Sequence, residues 1–493
     1  MISHEILDSA TRPPKNILTR HLNKYALAAI ALGILAGVLV VFVDKPAYIY
    51  LALAGLVVFF LAIYSMEFGL VILIFISYTR FSDIMTEFQG FPSVAKPYLV
   101  LLIVSILVRW AIFGERPEGW GTAAVLFGVL SLTGFASLVY SPVPDRVLGR
   151  WTDDIKDMII AISVVVLLQK GSSLRRVVWT LISVGLFLGS LSVFQYFTGS
   201  FTNDYGGFAV SSQHQIIGKI DDYRATGPIG DPNFFAQIMV ALIPISLERF
   251  LNEKKNSLRI IALWAFGVSV LTVLFTYSRG GFVAMVLGVV MVFLIYPPHR
   301  MQVPFIIFAM VVFAAFLPAN YVDRLSTLTE IFKPRNTSRI EERSLQGRLS
   351  ENLAALEMIK ANPLFGVGLN SYTYLFPLYS KKLGLALVAT EREAHNLYLE
   401  VAAETGVIGF TVFAILLITC YRTVVSARRT FQLHGLHDYS GMTLGFMAGM
   451  SSYLFAAIFV HNAFPRYFYL LLGIALSFRM VALNAVETKR MED

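Results

Sequence analysis

The chain has 493 residues; 56% are hydrophobic and only 15% charged. Soluble domains are nearer about 45–50% apolar and about 25% charged, so this composition excludes an ordinary soluble domain and points to many membrane spans. A net charge of +8 is read as basic residues anchoring loops rather than as a nucleic-acid surface, and the lone Cys420 excludes an internal disulfide or a cysteine-based metal site.

In chain order, a polar tail over 1–24 precedes the first apolar run and reads as the start of an uncleaved signal-anchor. Apolar runs of spanning length follow at 25–43, 47–64, 67–79, 97–113, 121–140, 155–169 and 176–198. A polar segment at 199–231 separates these from runs at 232–249, 259–277, 280–296 and 302–318. A larger polar segment fills 319–396, and three more runs cover 397–420, 441–460 and 465–483 before the tail at 484–493. The runs at 67–79 and 155–169 are short, so the expected fold is an all-α polytopic membrane protein of 12 to 14 helices.

Lysine and arginine set the expected orientation. With the N-terminus inside, twenty of the 40 fall on each side, but ten of the outer ones lie in 319–396. Segments longer than about 60 residues escape the charge rule, so the short loops favour both termini cytoplasmic. The 199–231 and 319–396 segments then face outward. Within the second, "GRLSENLAALEMIKANP" places Leu349, Leu353, Leu356 and Ile359 on one helix face, ended by Asn362-Pro363. This amphipathic helix is expected to lie on the outer membrane surface or to cap the bundle.

That topology sorts the ionisable groups. His4, His21, His299, His434 and His437 fall inside; His214, His395 and His461 fall outside. Arg224 in "YRATGPIGDPNFF", Arg279 in "TYSRGGF" and Arg348 in "LQGRLSEN" each stand near a glycine-containing turn before a helix. Unpaired N–H groups at a helix start, with an arginine added, suit a phosphate; an arginine snorkelling to lipid headgroups is the bland alternative. Asp231-Pro232-Asn233 is a helix start signal, and Ser278 can cap the helix that Arg279 opens. His395 suits a general base, and Asn396 can fix its ring, hold a sugar hydroxyl, or simply cap the next helix. Glu400 and Glu404, one turn apart, can orient groups or line a wet crevice.

These segments together resemble the bacterial O-antigen ligases. "HNLYLEVAAETGVIG" fits His-[Asn/Ser/Gln]-x9-Gly-x-x-Gly, with His395, Asn396, Gly406 and Gly409 in place. "TYSRGG" at 276–281, "RATGPIGDPNFFA" at 224–236 and "GRLSENLAALEMIKANPLFGVGLNSY" at 347–372 resemble that family's other motifs, in the same order. A second pair, His461-Asn462, reads as a decoy, because Gly473 comes one residue late and no Gly-x-x-Gly follows. The outer segment before the histidine motif is long, and the expected 12 to 14 spans range from the usual twelve upward.

The superfamily joins O-antigen ligases, O-antigen and exopolysaccharide polymerases and protein O-oligosaccharyltransferases. The resemblance implies a GT-C-like fold in the bacterial inner membrane, active on its periplasmic face. It implies en bloc transfer of a glycan from undecaprenyl diphosphate to an acceptor hydroxyl on a glycan or lipid A-core, with inversion and without cofactor or obligatory metal. Arg224 and Arg279 would clamp the diphosphate, with Arg348 a weaker third. His395 would act as base, Asn396 and Glu400 would support it, and Asp231 and Asn233 would contact sugar. A protein hydroxyl is the alternative acceptor. A small-solute transporter, of bicarbonate for example, is the competing reading; it would need ionisable groups near the bilayer midplane, which are scarce here.

Overall fold

The computed structural model describes residues 65–216, 219–298, 342–384 and 391–492, with a few positions between 55 and 64. The expected spans 25–43 and 302–318, most of 47–64 and the polar tail 1–24 lie outside the described residues. From Ser65 onward the chain forms one helical unit. The first helices are α1 (Met66–Tyr78), α2 (Phe81–Glu87), α3 (Ala95–Phe113), α4 (Trp120–Ala136), α5 (Pro144–Leu167) and α6 (Gly171–Thr198). A β-hairpin, β1 (Val210–Ile216) and β2 (Lys219–Gly227), leads into α7 (Pro232–Asn252), α8 (Asn256–Phe275) and α9 (Arg279–Ile295). The long outer segment contributes α10 (Glu342–Ala361) and α11 (Tyr372–Lys382), and the chain closes with α12 (Leu397–Leu433), α13 (His437–Ala456) and α14 (Pro465–Glu492).

Seven of the described helices are long and apolar enough to cross a membrane, and α1 with α2 makes an eighth candidate, bent by 52°. The short run at 67–79 is therefore the first arm of a bent helix pair, a broken span or a re-entrant loop, with Arg80 in the left-handed region (φ 53°) at the break. The run at 155–169 is the second half of α5, which starts eleven residues earlier behind Pro144. Within the polar segment 199–231, expected to face outward as a loop, residues 210–227 form an antiparallel hairpin that pairs Ser212 with Arg224.

The centre of the bundle is α7, where 89% of the spanning window is buried, against 17% in α3 and 22% in α4. Asp231 starts it by accepting from the N–H groups of Asn233 (2.7 Å) and Phe234 (3.1 Å), and Pro232 occupies the first turn, where no N–H is needed. Small residues let α7 approach its neighbours. A Cβ on Gly449 of α13 would meet the Ala241 carbonyl oxygen at 2.2 Å.

At the far end of α7, opposite its Asp231 cap, charges are buried and closed on one another. Arg249 reaches Glu248 at 2.7 Å and Asp438 at 2.6 Å, while Arg175 reaches Glu253 at 2.6 Å and Asp438 at 2.8 Å. Arg249 and Glu248 are fully buried, so each pays for desolvation with partners on nearly every side. This network ties α6, α7 and α13 together.

The helix α10 turns the other way from its expected apolar stripe. Ala354, Ala355 and Met358 are fully buried and Glu351 is 1% exposed, whereas Leu349, Leu353 and Leu356 are 39–46% exposed. Only Ile359 of the four packs inward, beside this core. The leucine face is left outward, and the small and polar face is the one that packs.

Candidate active site at one end of the bundle

The ends of α7, α9, α10, α12 and α14 and the 457–464 turn meet around His395. Two turns build it in the same way. In each, a non-glycine residue in the left-handed region precedes a capping residue: Tyr277 (φ 53°) before Ser278, and His395 (φ 46°) before Asn396. Such backbone costs of order 1–3 kcal/mol and concentrates at functional sites. Ser278 Oγ accepts from Gly281 N–H at 3.3 Å and opens α9, putting Arg279 at its first position. Asn396 Oδ1 accepts from Tyr398 N–H (3.1 Å) and Leu399 N–H (3.2 Å) and opens α12. Of the roles open to Asn396, the cap is the one its side chain performs here.

His395 is 31% exposed, and its Nδ1 lies 3.0 Å from Glu351 Oε2 and 3.2 Å from the Glu393 carbonyl oxygen. Burial works against the protonated imidazole, but the hydrogen bond and charge of Glu351 outweigh it, and the His395 pKa is raised. Glu351 is held in turn by Arg392 Nε at 3.1 Å. One helical turn before Glu351 stands Arg348, whose pKa is lowered by burial and then by the positive charge of Arg279, with Glu351 and Asp231 opposing. Arg279, Arg348, Asp231, Glu351 and His395 thus form one electrostatic neighbourhood. Arg224 joins through the turn itself, since its Nε donates to the Thr276 carbonyl oxygen at 2.7 Å. Asn233, in the first turn of α7, is partly exposed beside its cap.

Glu400 and Glu404 face a different place from the one expected. Glu400 Oε2 accepts from Asn462 N–H at 2.9 Å, and Glu404 Oε1 accepts from Tyr372 N–H at 3.2 Å. Both line a cavity of about 60 Å³ with Arg150 and Asp154. The first glycine after them makes room for a loop. Gly406 (φ 64°, ψ −169°) breaks α12, and the loop 363–368 enters the break. Val367 and Gly368 N–H groups donate to the Ala403 and Glu404 carbonyls, both at 2.9 Å, and Val407 and Ile408 N–H groups donate to the Pro363 and Leu364 carbonyls at 2.8 and 3.2 Å. A Cβ on Gly406 would lie 2.4 Å from the Leu364 backbone.

Three residues at the site escaped sequence reasoning. Glu351 carries a usable signal, since it sits i+3 from Arg348 on one helix face. Glu393, with a pKa raised by burial, precedes the histidine by two residues. His461, read as a decoy, lies edge-on to His395 with ring centroids 5.5 Å apart.

The O-antigen ligase family model matches residues 264–414, which hold α9, α10, the 363–368 loop and the start of α12. Over that stretch the chain is similar to the O-antigen ligase family. The matched stretch contains Arg279, Arg348, Glu351, His395 and Gly406, while Arg224 and His461 fall outside it. No curated protein compared with it matches the chain.

Proposed function

We propose that the protein is a membrane glycosyltransferase of the ligase or polymerase kind. It moves a glycan en bloc from undecaprenyl diphosphate to a hydroxyl of a second glycan or of lipid A-core, on the periplasmic face of the inner membrane. The observation that carries this is the meeting of His395 and its Glu351 partner with Arg348, Arg279 and the helix starts of α7 and α9.

The chemistry follows from charge. The acceptor oxygen attacks the anomeric carbon as the bond from that carbon to the diphosphate oxygen breaks, giving inversion. The lipid diphosphate leaves with the bonding electron pair, and the acceptor proton passes to His395. Developing negative charge on the leaving group is met by Arg279 and Arg224, with Arg348 beside them, at helix ends whose N–H groups add a partial positive charge. Glu351 orients the imidazole and stabilises it once protonated, as a carboxylate partner does in other acid–base pairs. Asp231, spent on capping α7, acts on sugar only through its second oxygen, and Asn233 offers an amide at the same helix start.

The test is glycan transfer by purified protein in detergent, with chelator throughout and undecaprenyl-diphosphate oligosaccharide as donor. One arm contains lipid A-core and the other contains donor alone. Wild-type transfer that is lost in Arg279→Ala and His395→Ala, with both variants folded, supports the reading, and the productive arm names the acceptor. Transfer undiminished in His395→Ala reduces the histidine to a residue preceding a helix cap.

A further inference from the structure

The segment 461–467, "HNAFPRY", lies outside the matched region, and nothing in the transfer chemistry above uses it. It is nonetheless fixed against the site from several directions. Leu397 N–H, at the start of the His395 helix, donates to both the Ala457 (2.9 Å) and Val460 (3.0 Å) carbonyls. Asn462 is clamped at both backbone groups: its N–H donates to Glu400 at 2.9 Å and its carbonyl accepts from Arg150 at 2.8 Å. The His461 ring packs edge-on against Phe234 at 5.0 Å and against His395 at 5.5 Å.

Its polar atoms are less well served. His461 is 12% exposed; Nε2 lies 3.8 Å from Glu393 Oε2, and Nδ1 is buried without a partner. A buried ring nitrogen left unpaired costs about 1–3 kcal/mol, and a bound water, ion or ligand is what relieves that cost. Glu393 is the nearer carboxylate to Nε2 and favours the proton there, which leaves a lone pair on Nδ1. Burial, with the positive charges of His395 and Arg150 alongside, pushes the imidazole down to about 3, so the ring stays neutral and can accept a hydrogen bond.

Immediately beyond Asn462 lies a pocket of about 280 Å³, lined by Arg80, Asp83, Lys156, Asp157, Phe464 and Arg466 among others. Its charges cancel in pairs. Arg80 reaches Asp83 at 3.2 Å, and Arg466 reaches Asp157 at 3.3 Å and Asp83 at 3.5 Å. The lining therefore offers fixed donors and acceptors without a net anion-binding field, around an aromatic ring over which Arg80 stacks at 5.5 Å. Phe464 in turn packs on Phe234 at 5.2 Å, the same ring that touches His461. A neutral polyhydroxylated ring matches such a lining: paired polar groups for its hydroxyls and an apolar wall for its C–H face.

We propose that residues 461–467 build the acceptor-sugar subsite, with His461 Nδ1 accepting from a hydroxyl next to the reacting one and the sugar ring lying in the Arg80–Asp157–Arg466 pocket. The two imidazoles, set edge to face at 75°, then hold neighbouring hydroxyls of one acceptor residue, and only the hydroxyl on His395 is placed for attack. His461 is a catalytic residue by this contact, and Arg466 a positioning one. This rests on the transfer reading, and deepens it by assigning acceptor recognition to a segment separate from the arginines of the donor.

The experiment is steady-state transfer with purified full-length protein, varying acceptor at saturating donor, together with direct binding of undecaprenyl diphosphate. His461→Phe is expected to lower kcat/KM for acceptor 100-fold or more, with diphosphate binding unchanged within twofold. His461→Gln, which keeps an acceptor oxygen, is expected to recover at least tenfold of that loss. Arg466→Lys keeps the charge of the pocket and loses the planar fork; it is expected to raise acceptor KM about tenfold with kcat within threefold. Transfer by His461→Phe within threefold of wild type overturns the proposal while leaving the transfer reading intact. Loss of diphosphate binding in parallel with transfer also overturns it, because the residue then serves the donor or the fold. Absence of transfer by wild type with every acceptor overturns the transfer reading and this inference with it.

Discussion

The two ends of α7 handle buried charge in opposite ways. At the Arg249 end, arginines and carboxylates close on one another, with Asp438 taking an ion pair from each of two arginines. At the Asp231 end, the groups are held but not closed: Glu351 and His395 pair by proximity, Arg348 sits against another cation, and His461 Nδ1 has nothing to bond. A closed network has no reason to change its partners and serves as a clamp. An open one carries desolvation cost that only a ligand relieves, and this is how a binding site differs from a buried strut of the same composition.

Substitution should separate the two ends. The largest expected effect is at the open end: His395→Ala lowers glycan transfer by about 10²–10⁴, the usual range for a lost acid–base group. Its thermal midpoint in detergent should stay close to wild type, and a large fall there would make His395 structural. Arg249→Met should do the reverse, losing about 3–5 kcal/mol of unfolding free energy because the fully buried Glu248 is left without it. Residual transfer per folded molecule should be unchanged, and a specific loss of rate would erase the distinction between the ends. Gly406→Ala should cost more than the ~1–3 kcal/mol of forcing alanine into this positive-φ, extended-ψ conformation, because its Cβ also meets the Leu364 backbone. Denaturation followed by tryptophan fluorescence measures it.

Two smaller effects sharpen the comparison. The His395 pKa is raised by Glu351, so the stabilisation from that pair is fully present below the unfolded value near 6.5 and is lost as pH rises through the folded value. The midpoint difference between wild type and Glu351→Gln should therefore be widest in mild acid and narrow toward alkaline pH. A difference independent of pH would assign Glu351 to Arg392 instead. Asn396→Ala should cost about 0.5–2 kcal/mol as a lost helix cap, with transfer falling only modestly. A loss of rate equal to that of His395→Ala would mean that Asn396 touches substrate.

Much of this arrangement is legible in the sequence, and the exceptions have physical causes. The spans are legible because their apolar runs are long. The turns at Ser278 and Asn396 are legible because capping chemistry is local. The orientation of α10 is not, because the apolar stripe of a helix marks its core face only where the outside is water. In this chain the outward face carries Leu349, Leu353 and Leu356, and close packing falls to Ala354, Ala355 and Met358. The hairpin at 210–227 was hidden by a polar, glycine-rich sequence that carries little alternation. His395 and Arg279 announced themselves by motif. His461 did not, because its place beside His395 comes from helices α7, α12 and α14 converging in space, and a spacing rule measured along the chain cannot register that.

The break at Gly406 gives the histidine motif a mechanical meaning. Gly406 lies nine positions along the helix from Leu397, a rise of about 13.5 Å at 1.5 Å per residue. At one end of this rod is the His395 turn; at the other, the backbone of 363–368 is spliced into the helix by four hydrogen bonds. The nine-residue gap between Asn396 and Gly406 is thus a ruler. It fixes how far His395 stands above a joint shared with the loop that follows the Glu351 helix, so both members of the ion pair are measured from the same point. Insertion of a single residue in the rod would turn His395 by about 100° and lift it by 1.5 Å relative to Glu351. A fixed spacing that looks like a recognition signature on paper is, in the folded chain, a tolerance of about one ångström between an acid and a base.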